Sequence, residues 1–257
     1  IEAGEGAGAS AGGSVSIDGG VSSTRAGPGG SVSVEGGSSI AGNAGSLSLS
    51  GGSSDTGAGG AAMLRTAESG STKHDSGSVV ITSGSALHRS SGSVSVMSGN
   101  SLNTDAGPVL LQGGSSFGDE GYGGAVVVSG GAGVDGGSVL VSAGEGDEAM
   151  QGGSASIQGH SSVSMRTVST TSETGSATLS SGSSVDGQTG SVTLSTGNSE
   201  KARAGLVSIQ AGSGVVDGAE VSIQSGSATG KDSVGGELSI TAGAGAVGGE
   251  LFLRSGA

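Results

Sequence analysis

The 257-residue chain has no cysteine, no tryptophan, one tyrosine, two phenylalanines and two prolines. Without cysteine there is no disulfide scaffold, no zinc ribbon, no thiolate nucleophile and no redox pair. Three aromatic side chains cannot furnish platforms for base stacking. Nine Lys+Arg make no phosphate-tracking stripe, so no nucleic-acid partner is expected. Twenty-two acidic residues leave a formal charge of −13, which argues the same way. No apolar run reaches the roughly 18 residues that a membrane helix needs, so no membrane insertion is expected. Collagen is excluded because Gly does not recur every third residue and Pro28 and Pro108 stand alone.

What the chain does have is glycine, 59 residues of it, about three times the usual share. Together with abundant serine, that is the composition of a flexible linker. Internal periodicity argues otherwise. Gly-Ser-Val-x-Val segments recur with first apolar positions at Val15, Val32, Leu47, Ala62, Val79, Val94, Val109, Val126, Val139, Ala155, Ala177, Val192, Val207, Val221, Leu238 and Leu251. We call these the anchors and count offsets from them. Offset −2 is Gly in fifteen of the sixteen repeats (Ala219 is the exception), and offset +5 is Gly in fourteen. Offset +2 is a large aliphatic residue throughout, from Ile17 and Val34 to Ile240 and Leu253. Offsets +4 and +6 are mostly small, and +8 is apolar again in half the repeats, as at Ile40, Leu87, Leu102, Phe117, Val134, Val163, Val185 and Val215.

Even offsets share one side of an extended chain. Each repeat therefore predicts a short strand, a Gly corner with access to positive φ, and a second strand whose inner side is slim. Two branched residues per repeat cannot offset the backbone entropy of ordering about 15 residues, so neighbouring repeats must share backbone ladders and apolar columns. The expected fold class is all-β: a parallel β-solenoid of about 16 coils, roughly 15–17 residues each, with a narrow, flattened cross-section.

The expected organisation is a single domain over 1–257, uncapped at both ends and an excerpt of a longer array. The repeat after Ala155 is long, and its extra length is assigned to a protruding loop at 164–174. Central repeats place apolar residues on the outward side, at Val80, Met97, Leu110, Val127 and Leu140, which suggests a packing surface for another chain. Glu220, Glu237 and Glu250 each precede an anchor, and stacking would make them a carboxylate ladder suited to Ca2+. Glu145, Asp147 and Glu148 form a second acidic cluster. His74, His88 and His160 sit in variable corners with no nucleophile elbow or phosphate loop, so no enzyme is expected.

The tandem Gly-Ser-Val-x-Val coils resemble the repeats of large surface or extracellular-matrix proteins of algae, diatoms in particular, and adhesin or fibre β-solenoids. That resemblance implies an extracellular structural protein: a rigid fibre, filament, sheath or adhesive stalk built by homo-assembly, end to end or side by side. A flat hydroxyl ribbon is also what an ice- or mineral-binding solenoid presents, although Thr is sparse here. Cation-dependent adhesion is a third expectation.

Overall fold

A computed structural model describes residues 1–8, 10–23, 27–70, 73–146, 152–171 and 173–256. It divides into two compact units, Ile1–Ser138 and Val139–Ala257. Among the described residues there is no helix and no strand, only extended limbs separated by bends. None of them is buried. The accessible surface is 25819 Å², against about 9,800 Å² for a folded monomer of this mass and about 34,000 Å² for the unfolded chain.

The β-solenoid, all-β class and coil stacking expected from the sequence are therefore corrected, and with them the resemblance to algal matrix proteins and adhesin solenoids. The reason lies in how the repeats close. A β-ladder needs consecutive backbone hydrogen bonds between neighbouring limbs. Here a corner closes through a single one. The offset −2 N–H donates to the offset +5 carbonyl of the preceding repeat: Gly30 to Gly20 at 2.7 Å, Gly45 to Gly37, Gly60 to Gly52 and Gly124 to Gly114 at 2.8 Å. The slim residues at +4 and +6 also leave little side chain to fill the ~10 Å between two facing layers.

Within each limb only the anchor gains cover, because offset +2, expected to share its side, stands at 60–87% exposure and overlaps the outward residues. The Val and Leu anchors are the best covered of the large apolar residues, at 44–54% exposure. On the outward side, Ser16 Oγ donates to Asp18 Oδ2 at 2.7 Å and Ser33 Oγ to Glu35 Oε1 at 3.0 Å. These bonds join residues two apart, as on one face of an extended chain.

Among the described residues the second limb of each repeat, like the first, forms no strand. Bends recur where it was expected, at 40–42, 55–57, 87–89, 102–104, 133–135, 185–187, 200–202, 215–217 and 245–247. Ile40, Leu87, Leu102, Phe117, Val134, Val185 and Val215, expected to point inward, stand at 96–108% exposure. A side-chain cap made by serine at offset +7 explains the bend in several repeats. Ser39, Ser54 and Ser184 Oγ accept the N–H of Gly42, Gly57 and Gly187, each at 2.9 Å. Ser199 accepts from Ala202 at 3.1 Å and Ser101 from Thr104 at 3.2 Å. Such local bonds offer the backbone an alternative to a ladder.

Val163 departs from the other +8 residues. It is covered like an anchor, at 53% exposure, and a bend at 160–161 precedes it. Counted from Val163, Thr170 falls at +7, and its Oγ1 donates to the Glu173 carbonyl at 3.0 Å. The described residues 164–171, part of the segment expected to protrude, keep the spacing of a repeat counted from Val163.

Candidate association surface

The corners come in two kinds, and residue +4 separates them. In the clasped kind, +4 is Gly or Ala, with Ser225 the one exception: Ala3, Gly19, Gly36, Gly51, Gly113, Gly130, Ala143, Ala211 and Ala242. At Gly19, Gly51, Gly113 and Gly130 a methyl group would run into the carbonyl of Gly30, Gly60, Gly124 and Gly137. Five of the seven half-buried residues among those described hold this position, Gly19, Gly113, Ala211, Ser225 and Ala242. In the open kind, +4 is hydroxylated at six corners, namely Thr66, Ser83, Ser98, Thr167, Ser181 and Thr196, whereas the open corner before Val163 has Gly159 there. At the six the side chain stands in the corner instead. Thr66 Cγ2 and Thr196 Cγ2 lie 3.5 Å from where a methyl on Gly77 and Gly205 would be.

The glycine corners do not use left-handed backbone. Among the described residues only Gly8 and Asp232 have positive φ, at 67° and 68°. Glycine serves here by lacking a side chain where two backbones meet. Ala219 shows the effect of supplying one. Its bond to the Gly212 carbonyl is 3.2 Å, whereas the nine clasps donated by glycine are 2.7–2.9 Å.

Kinds of corner follow one another in blocks. In Ile1–Ser138, clasps at Gly13, Gly30, Gly45 and Gly60 give way to open corners at Gly77, Gly92 and Gly107, then to clasps at Gly124 and Gly137. In Val139–Ala257, a clasp at Gly153 is followed by open corners at Ser161, Gly175, Gly190 and Gly205 and by clasps at Ala219, Gly236 and Gly249.

The outward apolar residues lie in this frame. Val80 and Met97 belong to limbs bounded by open corners, and Leu110 and Val127 to the limbs that follow; all four are in the first compact unit. Leu140 belongs to the second. Their exposures run from 75% to 88%. Adjacent limbs do not close over them. Leu49 and Ser50 face Ala62, Met63 and Leu64 across a hollow of about 360 Å³. Met165 faces Ala177, Thr178 and Leu179 across one of about 220 Å³. Both hollows occur where the anchor is alanine instead of valine or leucine.

Glu220, Glu237 and Glu250 are exposed at offset −1 of their repeats. Among the described residues no group of three or more His, Asp or Glu is gathered so that it could hold a metal ion. Asp147 and Glu148 lie outside the described residues, so the second acidic cluster does too. His74, His88 and His160 sit at bends on the surface. No helix among the described residues is long and apolar enough to cross a membrane. No known family, curated protein or solved structure matches the chain.

Proposed function

We propose that this is a non-catalytic structural protein that works by associating with further copies of itself through its outward apolar limbs. The observation that carries the reading is the uncovered surface. The chain displays 25819 Å² with no buried residue among those described, although most of its aliphatic side chains recur in one register. Large exposed apolar patches mark association surfaces. A second copy offers the same spacing of Val, Leu and Met along its limbs, which a partner of unrelated sequence does not. Lateral packing of copies, without coil stacking, is the means by which a fibre, sheath or stalk would form. The same proposal places that material outside the cell, which immunogold labelling of intact cells tests.

Sedimentation velocity over a wide range of chain concentration, with electron microscopy of the same samples, tests the association. Concentration-dependent growth into fibres or sheets is expected. An expanded monomer that stays dispersed at every concentration refutes the reading.

A further inference from the structure

Four Asp-Gly pairs occur in the chain, at Asp18, Asp135, Asp186 and Asp217, and the structure treats them differently. We infer that Asp135 and Asp217 are sites of spontaneous succinimide formation and isoaspartate accumulation, while Asp186 and Asp18 are protected. In this chemistry the backbone nitrogen of the following residue attacks Cγ of the aspartic acid. The new C–N bond closes a five-membered imide, the Cγ–O bond breaks, and one water leaves. Water then re-opens the ring at either carbonyl. Opening at the main-chain carbonyl leaves the chain running through the side chain, with one methylene added to the backbone. No oxidant, cofactor or second protein takes part.

The step needs a free N–H, a following residue without a side chain, and room for the backbone to pucker. Asp135 and Asp217 each end a bend, at 133–135 and 215–217. Around Gly218 nothing lies within 4 Å of where a side chain would begin, and around Gly136 the nearest atom is the Gly131 carbonyl oxygen at 4.0 Å. Neither N–H has a partner among the described residues.

Asp186 has the same sequence context and sits in the bend at 185–187. Its Gly187 N–H, however, donates to Ser184 Oγ at 2.9 Å. The nucleophile is held in a cap. Asp18 lies on an extended limb, where its carboxylate is tied back to Ser16 Oγ at 2.7 Å. Gly19 is half-buried against the Gly30 carbonyl, so the backbone cannot pucker there.

The two reactive sites also have the most to lose. Asp135 lies two residues before Gly137, which clasps Gly131, and Asp217 two residues before Ala219, which clasps Gly212. These are among the shortest loops closed by a clasp, so an added backbone methylene falls where a clasp has least slack. Asp186 precedes the open corner at Gly190, where there is no clasp to break.

The test is ageing of the full chain at neutral pH. Isoaspartate is quantified site by site, by peptide mapping with electron-transfer fragmentation and by labelling with an isoaspartyl methyltransferase. Asp135 and Asp217 should lead. Asp186 should lag by about fivefold, the factor that one ordinary net hydrogen bond represents, and Asp18 should be slowest. Ser184→Ala should raise Asp186 to the rate of the leading pair, while in denaturant all four should converge. Equal rates in native buffer, a lead by Asp18, or no response of Asp186 to Ser184→Ala would each overturn the assignment.

Discussion

Substituting either glycine of one corner distinguishes the clasp from mere flexibility. Gly113 and Gly114 are adjacent, both glycine and neither at positive φ, yet their surroundings are opposite. A methyl on Gly113 would collide with the Gly124 carbonyl oxygen and stand 2.8 Å from its carbon, whereas a methyl on Gly114 meets nothing within 4 Å. Carbon atoms settle at about 3.5–4.0 Å, so Gly113→Ala must open the corner by roughly 0.7 Å. The 2.8 Å bond from Gly124 N–H to the Gly114 carbonyl cannot survive that movement. Its net worth is about 1 kcal/mol, a fivefold change in local opening. Gly114→Ala forfeits no contact and restricts the unfolded chain, a gain of about 0.4–1 kcal/mol. Amide hydrogen exchange at Gly124 reads both. Protection should fall about fivefold in Gly113→Ala and hold or rise in Gly114→Ala. Equal losses in the two variants would refute the steric argument and leave only a generic effect of removing glycine.

Four further outcomes follow from the same geometry. Ala219→Gly should slow amide exchange at residue 219, because removing the methyl lets the 3.2 Å clasp shorten toward the length of the others. Ser54→Ala removes the acceptor for the Gly57 N–H and should speed exchange at Gly57 a few-fold, with the clasp at Gly60 untouched. Gly60→Ala should loosen its clasp as alanine does at 219, since a methyl would stand 2.9 Å from the Gly52 nitrogen; Gly92→Ala should be tolerated, since the nearest atom is Ser83 Cβ at 3.7 Å. Exchange or proteolysis at the two corners separates them. Leu110→Asp with Val127→Asp should lower the association seen by sedimentation, and added salt should strengthen association of the unaltered chain by screening its charge of −13.

Much of the local order is legible in the sequence. The repeat and its anchors are read from the recurring Gly-Ser-Val segments, and the outward pairs Ser16/Asp18 and Ser33/Glu35 from period-two spacing, although offset +2 does not share the anchors' cover. Closure of the repeats is not legible from hydrophobic columns, because it depends on what offset +4 allows the backbone to do. Gly113 and Ser83 both look like small fillers, but one admits a carbonyl and the other occupies the corner. The assignment of Ile40 and Val185 to an inner face failed for a related reason. Alternation was carried through a bend, and the signal that it stops is the serine at +7 with glycine at +10, as in Ser39–Gly42 and Ser184–Gly187. Val163 lacks the anchor's signature because Ser161 stands where the other repeats have Gly or Ala. The exposed residues Val80, Leu110 and Leu140 are legible as a stripe, because the outward offset +1 is apolar in those repeats.

The clasps also set how the chain responds to being pulled. Each is a single bond sealing off a loop, and those sealed by Gly30–Gly20, Gly124–Gly114 and Gly236–Gly226 are the longest. Ten residues of chain can span about 33–36 Å when drawn straight, so parting one such bond releases slack many times its own length. A strand built this way yields in steps, spending a weak link and paying out stored chain before any tension reaches the covalent backbone, and it can reseal when slackened.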